Sequence, residues 1–261
     1  MALTRSSIDG QTASSARIYN YLLGGPEHFS ADREAADTLM SRFPTVQASA
    51  KANRGFVLRA ARAMAEAGIT QFLDIGCGLP MSPNTHDAVR EVNPDARVVY
   101  VDSDPIVVVY GRAWLDRPGV VTIAGDLREP EAILASQEAA LDLSRPIGVL
   151  TVAVLHFVVE NDAGQHVARL RDMLAPGSHI ALTHVCADTM PRAEIEAGQA
   201  IYSRSANPVR VRTREEIRAL FDGLELLEPG LVPVADWRPA PGDPFPESAP
   251  EALGAIGRIP H

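Results

Sequence analysis

Lysine is nearly missing from this chain: of 24 basic residues only Lys51 is a lysine, and the others are arginine. Positive charge as a whole is in deficit, since 33 acidic residues leave a formal net charge of −9 at pH 7. Nucleic-acid affinity is built largely on Lys and Arg neutralising phosphates, so a nucleic-acid partner is disfavoured. Cysteine is scarce too. Cys77 and Cys186 make neither a disulfide framework nor a CxxC or Cys/His metal spacing, so no metal site is expected and a reducing cytoplasm fits. Long apolar runs are lacking: the most apolar, Ile147 to Val159, is too short to span a bilayer and contains His156. Met1 to Ser15 carries one Arg and no apolar stretch, which suits neither a signal peptide nor an anchor. The expectation is a cytoplasmic protein without a membrane partner.

What remains is an ordinary globular composition, 46% hydrophobic and 22% charged, over 261 residues. Hydrophobic cores stop growing near ~250 to 300 residues, so one structural unit with additions is expected. From Gln71 onward, short apolar runs alternate with helical-period segments, the pattern of consecutive βαβ units. The strands are read as Gln71–Ile75, Arg97–Asp102, Val120–Ala124, Pro146–Leu155 and His179–Val185. They are rich in Val, Ile and Leu without polar alternation, as when helices cover both faces of a parallel sheet. Helices are expected over Pro83–Val92, Pro105–Leu115, Pro130–Leu141 and Asp162–Leu174, three of them opening on a proline near the first turn. Glu160-Asn161-Asp162 is read as the start of the last of these.

Ahead of the sheet lie helix candidates Ala13–Leu23, Ala31–Phe43 and Thr45–Ala67, so residues 1–68 read as a helical cap and 69–261 as the core. Arg192–Ser203 and Arg214–Phe221 follow, the latter with a capping box from Thr213 to Glu216. Leu224–Leu227 and Ala252–Ile259 bring the mostly parallel sheet to seven strands. Between them a loop with prolines at 233, 239, 241, 244, 246 and 250 reads as a surface crossing or lid. The predicted class is a Rossmann-like α/β sandwich with an N-terminal helical cap.

The sharpest local signal is Phe72-Leu73-Asp74-Ile75-Gly76-Cys77-Gly78-Leu79-Pro80, a strand running into a glycine turn. Gly76 and Gly78 let the backbone turn sharply and approach a ligand closely. Asp102 ends the next strand 24 positions after Gly78, where an acid can bond both ribose hydroxyls of an adenosine. A dinucleotide fingerprint wants a third glycine where Met81 stands, whereas Asp74 suits a cationic α-amino group; the loop favours S-adenosylmethionine over NAD. Asp126, closing Ile123-Ala124-Gly125-Asp126-Leu127-Arg128, can accept from an adenine amino group, with Leu127 offering an N–H and an apolar face. Asp126 can equally be a helix N-cap.

The series FLDIGCGLP, VVYVDSDP, TIAGDLR and VLTVAVLHFV resembles motifs I to IV of class I S-adenosylmethionine-dependent methyltransferases. Ala16-Arg17-Ile18-Tyr19-Asn20-Tyr21-Leu22-Leu23-Gly24-Gly25 with Ala31-Asp32-Arg33-Glu34-Ala35, and near the end Phe221-Asp222-Gly223 and Trp237-Arg238-Pro239, are similar to an actinobacterial S-adenosyl methyltransferase family long described as a domain of unknown function. Asn20 and Pro26-Glu27-His28 depart from the commoner family residues. The resemblance implies that Asp74, Gly76 and Gly78 contact the amino acid part of the cofactor, Asp102 the ribose, and Asp126 with Leu127 the adenine.

Methyl transfer needs a held acceptor and, for a hydroxyl or ammonium, a base. His156, just past the fourth strand, is the candidate base; a packed histidine closing an apolar strand is the other reading. Arg17, Tyr19 and Tyr21 are read as one helical face, either closing over the acceptor or packing on the sheet. The fourth motif, Ala153-Val154-Leu155-His156-Phe157, lacks the N/D-P-P-Y/F arrangement of nucleobase amine methylation, and no cysteine stands there for cytosine chemistry. A small-molecule acceptor, methylated on O or N, is expected. An NAD-dependent oxidoreductase and an S-adenosylmethionine-binding module without turnover are the rival readings.

Overall fold

A computed structural model describes residues 10–160, 163–203, 205–245 and 248–260. Asn161, Asp162 and Pro246, and Met1 to Asp9 of the leader reading, lie outside the described residues. Five parallel strands, β1 (Gln71–Ile75), β2 (Arg97–Asp102), β3 (Val120–Ala124), β4 (Gly148–Thr151) and β5 (His179–Val185), are joined by short β6 (Glu225–Leu226), β7 (Val232–Pro233) and a long β8 (Ala252–Arg258). The order is β3-β2-β1-β4-β5-β8-β6, with β8 antiparallel to β5 and β7 pairing β8. The sheet has eight strands where seven were expected. The addition is β7, a two-residue segment too short to carry a period-2 signal.

Both sheet faces are apolar, which is why the strands show no polar alternation. Phe72, Val98, Tyr100 and Leu150 point to one side, while Leu73, Val99, Val101 and Val149 point to the other. The first face is covered by α3 (Val46–Glu66) and α4 (Thr85–Arg90), the second by α6 (Pro130–Leu134), α7 (Ala163–Asp172) and the end of α9 (Arg214–Ala219). α5 (Pro105–Trp114) packs on β2 and β3, close enough that Gly111 abuts Thr122. α1 (Ser15–Leu22) and α2 (Ser30–Arg42) pack on each other, on α3 and on α8 (Arg192–Tyr202). No helix among the described residues is long and apolar enough to cross a membrane.

Several sequence boundaries move. β4 stops at Thr151, Ala153 takes a left-handed backbone (φ 57°), and Leu155–Phe157 form a 3-10 turn. The apolar run Val152–Leu155 continues the strand pattern, and apolarity alone does not separate a strand from a buried turn. α6 ends at Leu134 and not at Leu141; beyond it Ala140 takes a left-handed backbone (φ 46°), and the Gln71 side chain holds both backbone groups of Asp142, donating to its carbonyl (3.0 Å) and accepting its N–H (2.8 Å). A continued helix would carry Asp142 away from that clamp. Pro83 precedes α4 and does not open it. Its first turn is closed by Asp87, which accepts the Asn84 N–H at 2.7 Å. The capping box of α9 is present, with Thr213 and Glu216 each accepting the other's backbone N–H.

The proline-rich segment is a strap over α3. The Arg59 guanidinium donates to the carbonyls of Trp237 (2.9 Å) and Val234 (2.6 Å) and pairs with Asp243 (3.0 Å). Trp237 is wholly buried against Phe56. None of the segment's described residues, 233–245 and 248–250, lines the cavity described below, so the described part of this segment is not a lid over it.

The N-terminal helices hold together through a buried ion pair. Arg17 Nε donates to Asp32 at 2.8 Å, and Asp32, fully buried, also accepts the backbone N–H groups of Ser14 and Phe29. A helical period of 3.6 puts positions two apart on opposite sides, so Arg17, Tyr19 and Tyr21 do not form the single face expected. Arg17 and Tyr21 turn to α2, where Tyr21 donates to Asp37, while Tyr19 turns to α3. Removing one member of a buried pair strands the other charge. Arg17→Met is expected to lower unfolding stability by about 3 kcal/mol, read as a shifted urea midpoint at unchanged slope.

Candidate active site

The C-terminal ends of β1 to β4 open into one cavity of about 290 Å³. It gathers Asp74, Gly76, Gly78, Asp102, Asp126 and Leu127, together with Tyr19 and His156. Arg17 and Tyr21 do not line it. Crevices at strand ends are where open α/β sheets place ligands, because the chain leaves each strand there through a loop.

Gly76 and Gly78 both have left-handed backbones, φ 69° and 67°. Their reasons differ. A Cβ on Gly76 would come within 2.3 Å of Val154, whereas one on Gly78 would meet nothing within 4 Å, so Gly78 faces open space. Asp102 braces this turn: its carboxylate accepts the N–H of Gly78 at 3.0 Å and that of Asp104 at 2.9 Å. Burial pushes its pKa up to about 6, against the pull of these donors.

Asp74 is buried and accepts the Thr85 hydroxyl at 2.6 Å, and burial raises its pKa against the opposing effects of Thr85 and the Arg54 cation. Asp126 is held otherwise. It accepts the backbone N–H and Nε of Arg128, both at 2.9 Å, and this pairing lowers its pKa. It is not a helix N-cap, since Glu129 occupies that place before α6. Cys77 also lines the cavity, with its thiol pushed well up by burial and by Asp102 and Asp74, so it is not a thiolate nucleophile.

Three further lining groups escaped the sequence reading. Arg54, on α3, donates to the carbonyls of Met81 and Pro83, both at 2.6 Å, yet its buried Nε has no partner among the described residues. Its signal was an Arg inside the buried run Ala52–Ala61, where charge is rare without a task. Asn53 on α3 links α1 to the sheet: its amide donates to the Tyr19 hydroxyl (3.1 Å) and accepts from Thr183 (2.7 Å), whose oxygen accepts the Ala153 N–H (2.9 Å). Tyr202, at the end of α8, also lines the cavity.

His156 sits in the 3-10 turn after β4, 9% exposed, with its buried Nδ1 unpartnered among the described residues. Its ring meets Phe157 edge-on (centroids 4.3 Å apart) and His184 (5.6 Å). His184 is a neutral neighbour: Arg212 Nη1 donates to its Nε2 at 2.8 Å, so Nδ1 carries the proton and donates to the Val185 carbonyl at 2.8 Å. Burial, then the nearby His184 and Arg212, hold His156 well below the ordinary histidine pKa, and it is neutral at pH 7.

Glycine turn, carboxylate brace and strand order define a Rossmann-like protein of the kind that binds an adenosine-bearing cofactor at its switch point. Within that class the chain belongs to the S-adenosyl methyltransferase family, whose model matches residues 1–260; the family's cofactor is S-adenosylmethionine. A DUF574 family crystal structure from Streptomyces avermitilis is 38% identical with a TM-score of 0.89, covering 97% of this chain and 99% of that one. A putative methyltransferase structure from Thermobifida fusca is 39% identical with the same TM-score of 0.89, covering 97% of each chain. A putative S-adenosyl-L-methionine-dependent methyltransferase of Mycobacteroides abscessus is 29% identical over 55% of this chain, and the match spans only 46% of its own length. Human N-acetylserotonin methyltransferase, crystallised with its cofactor, shares the fold at 14% identity and a TM-score of 0.51, over 93% of this chain and 62% of that one.

Proposed function

We propose that this protein moves a methyl group from S-adenosylmethionine to a hydroxyl or amino group of a small molecule. The observation that carries the reading is the single cavity in which the glycine turn, Asp74, Asp102 and Asp126-Leu127 meet. The residues present fit the cofactor. The orphaned Arg54 Nε and the Asp74 carboxylate suit its α-carboxylate and α-amino groups, Asp102 its ribose hydroxyls, and Asp126 with Leu127 its adenine. Gly78, open on its Cβ side, leaves room beside the turn.

The bound cofactor supplies an electrophilic methyl carbon for in-line displacement. The chain's own contribution is to hold the acceptor and to take its proton. His156, neutral and buried on the cavity wall, accepts that proton, and Phe157 and His184 fix its ring. The helix after the glycine turn favours this cofactor over NAD: α4 begins only at Thr85, and the Met81 N–H is already bonded to Asn84 (3.0 Å), so no free helix N-terminus meets a pyrophosphate at the turn.

Calorimetry with S-adenosylhomocysteine and NADH tests the reading: heat of binding is expected with the first alone, and tight NADH binding contradicts it. A pH dependence follows. Asp102 is protonated below about 6 and ionised above it, and the ionised carboxylate is the stronger acceptor for ribose hydroxyls. S-adenosylhomocysteine affinity is therefore expected to be full at pH 7 to 8 and to fall as pH drops through about 6. A loss centred near 4, the range of an ordinary carboxylate, would assign the titration to another group.

A further inference from the structure

A second cavity, of about 430 Å³, adjoins the first, and His156 and Tyr202 line both. Its other walls come from elements that the cofactor does not need: Phe43 and Val46 at the α2–α3 junction, Val185 at the end of β5, Ile195 and Gly198 on α8, and Val211 before α9. These side chains are only partly buried, so the fold keeps an apolar concavity open where it has the residues to fill it. Charge in the lining is sparse and leans acidic, with Arg42 against Glu194 and Glu251, the last hydrogen-bonded by Ser49. An anion entering it finds no surplus of positive charge.

The shared wall carries two polar groups with no hydrogen-bond partner among the described residues, one of them buried. His156 Nδ1 is buried and unsatisfied, and among the described residues the Tyr202 hydroxyl meets no hydrogen-bond partner. Buried polar groups in native proteins are nearly always paired, so the orphaned His156 Nδ1 points to a ligand group that pairs it, and the half-buried Tyr202 shares that wall. Burial also pushes the Tyr202 phenol up to about 12, so it is a neutral hydroxyl able to donate or accept.

We propose that the second cavity is the acceptor chamber and that it takes an uncharged, ring-bearing hydroxyl compound, with the hydroxyl lodged between His156 and Tyr202. The inference rests on the methyl-transfer reading and gives it a substrate class. The acceptor oxygen forms a bond to the methyl carbon as the carbon–sulfur bond breaks, and that electron pair stays on sulfur as S-adenosylhomocysteine forms. The hydroxyl proton passes to His156 and from there to solvent. Apolar walls hold the ring, and the acidic lining turns away carboxylates and phosphates.

The test is calorimetric titration of the full chain, with and without S-adenosylhomocysteine, by 2-naphthol and by its anionic counterpart 2-naphthoate. The same titrations are run on Ile195→Trp and Gly198→Phe, two positions that line the second cavity and not the first. A Cβ on Gly198 sits at an ordinary 3.6 Å from Phe43, so it is the rest of the phenyl group that enters the chamber. We expect 2-naphthol to bind at least about tenfold more tightly than 2-naphthoate, and each substitution to weaken it by about tenfold or more while S-adenosylhomocysteine affinity stays within about twofold. Retained cofactor-product binding shows that the variants are folded. Equal binding of naphthoate, no binding of naphthol, or naphthol binding unchanged in both variants would overturn the chamber. Naphthol binding with these properties but no affinity for S-adenosylhomocysteine would instead overturn the cofactor reading.

Discussion

His156→Ala is expected to lower kcat for a hydroxyl acceptor by about 10²- to 10⁴-fold, the usual worth of a positioned base. S-adenosylhomocysteine affinity should stay within about twofold, because the residues proposed to hold the cofactor lie on or just past β1 to β3 and on α3 and keep their bonds. The acid limb of the kcat profile carries a second signature. His156 is neutral down to a pH well below 6.5 because burial, His184 and Arg212 all oppose its protonation. At saturating cofactor, kcat should hold as pH falls past 6.5 and drop only lower, when the imidazole takes a proton. Full activity in His156→Ala would return this residue to packing against Phe157. An acid limb at or above 6.5 would assign the base to another group.

The second large effect is expected at Asp102. Each hydrogen bond to a charged group contributes about 1.5 to 3 kcal/mol, and two ribose hydroxyls would be lost together. Asp102→Ala should therefore weaken S-adenosylhomocysteine binding by about 100-fold or more. The same carboxylate accepts the N–H groups of Gly78 and Asp104, so alanine also loosens the glycine turn. Asp102→Asn separates the two effects, since its amide oxygen still accepts a backbone N–H while the charge is gone. A loss of about tenfold is expected there. Unchanged affinity in a folded Asp102→Ala would remove the ribose assignment.

Much of the sheet was legible because its strands are buried on both faces and end at turn-forming residues. β1, β2, β3 and β5 begin and end where the apolar runs do, and Asp74, the two glycines, Asp102 and Asp126 fall at their ends. What failed depended on contacts distant in sequence. The chain after α6 is held by Gln71 bonding Asp142, 71 positions away, and no window along α6 contains that bond. Ala153 breaks β4 with a left-handed backbone that its residue type does not announce. Arg54 enters the site through bonds to the carbonyls of Met81 and Pro83, 27 and 29 positions away in the loop after β1. The expected face of Arg17, Tyr19 and Tyr21 was an error of period, and the structure gives Arg17 to Asp32 and Tyr19 to Asn53. The second cavity has no sequence signature, since its walls come from five separate stretches of chain.

The placement of the cofactor underlies every assignment made for this protein, and a crystal structure of the full chain with S-adenosylhomocysteine measures it directly. The expected density lies along the ends of β1 to β3, with the carboxylate at Arg54, the amino group at Asp74, the ribose on Asp102 and the adenine beside Leu127. Density in the chamber between α2 and α8, or a ribose out of reach of Asp102, would contradict the account.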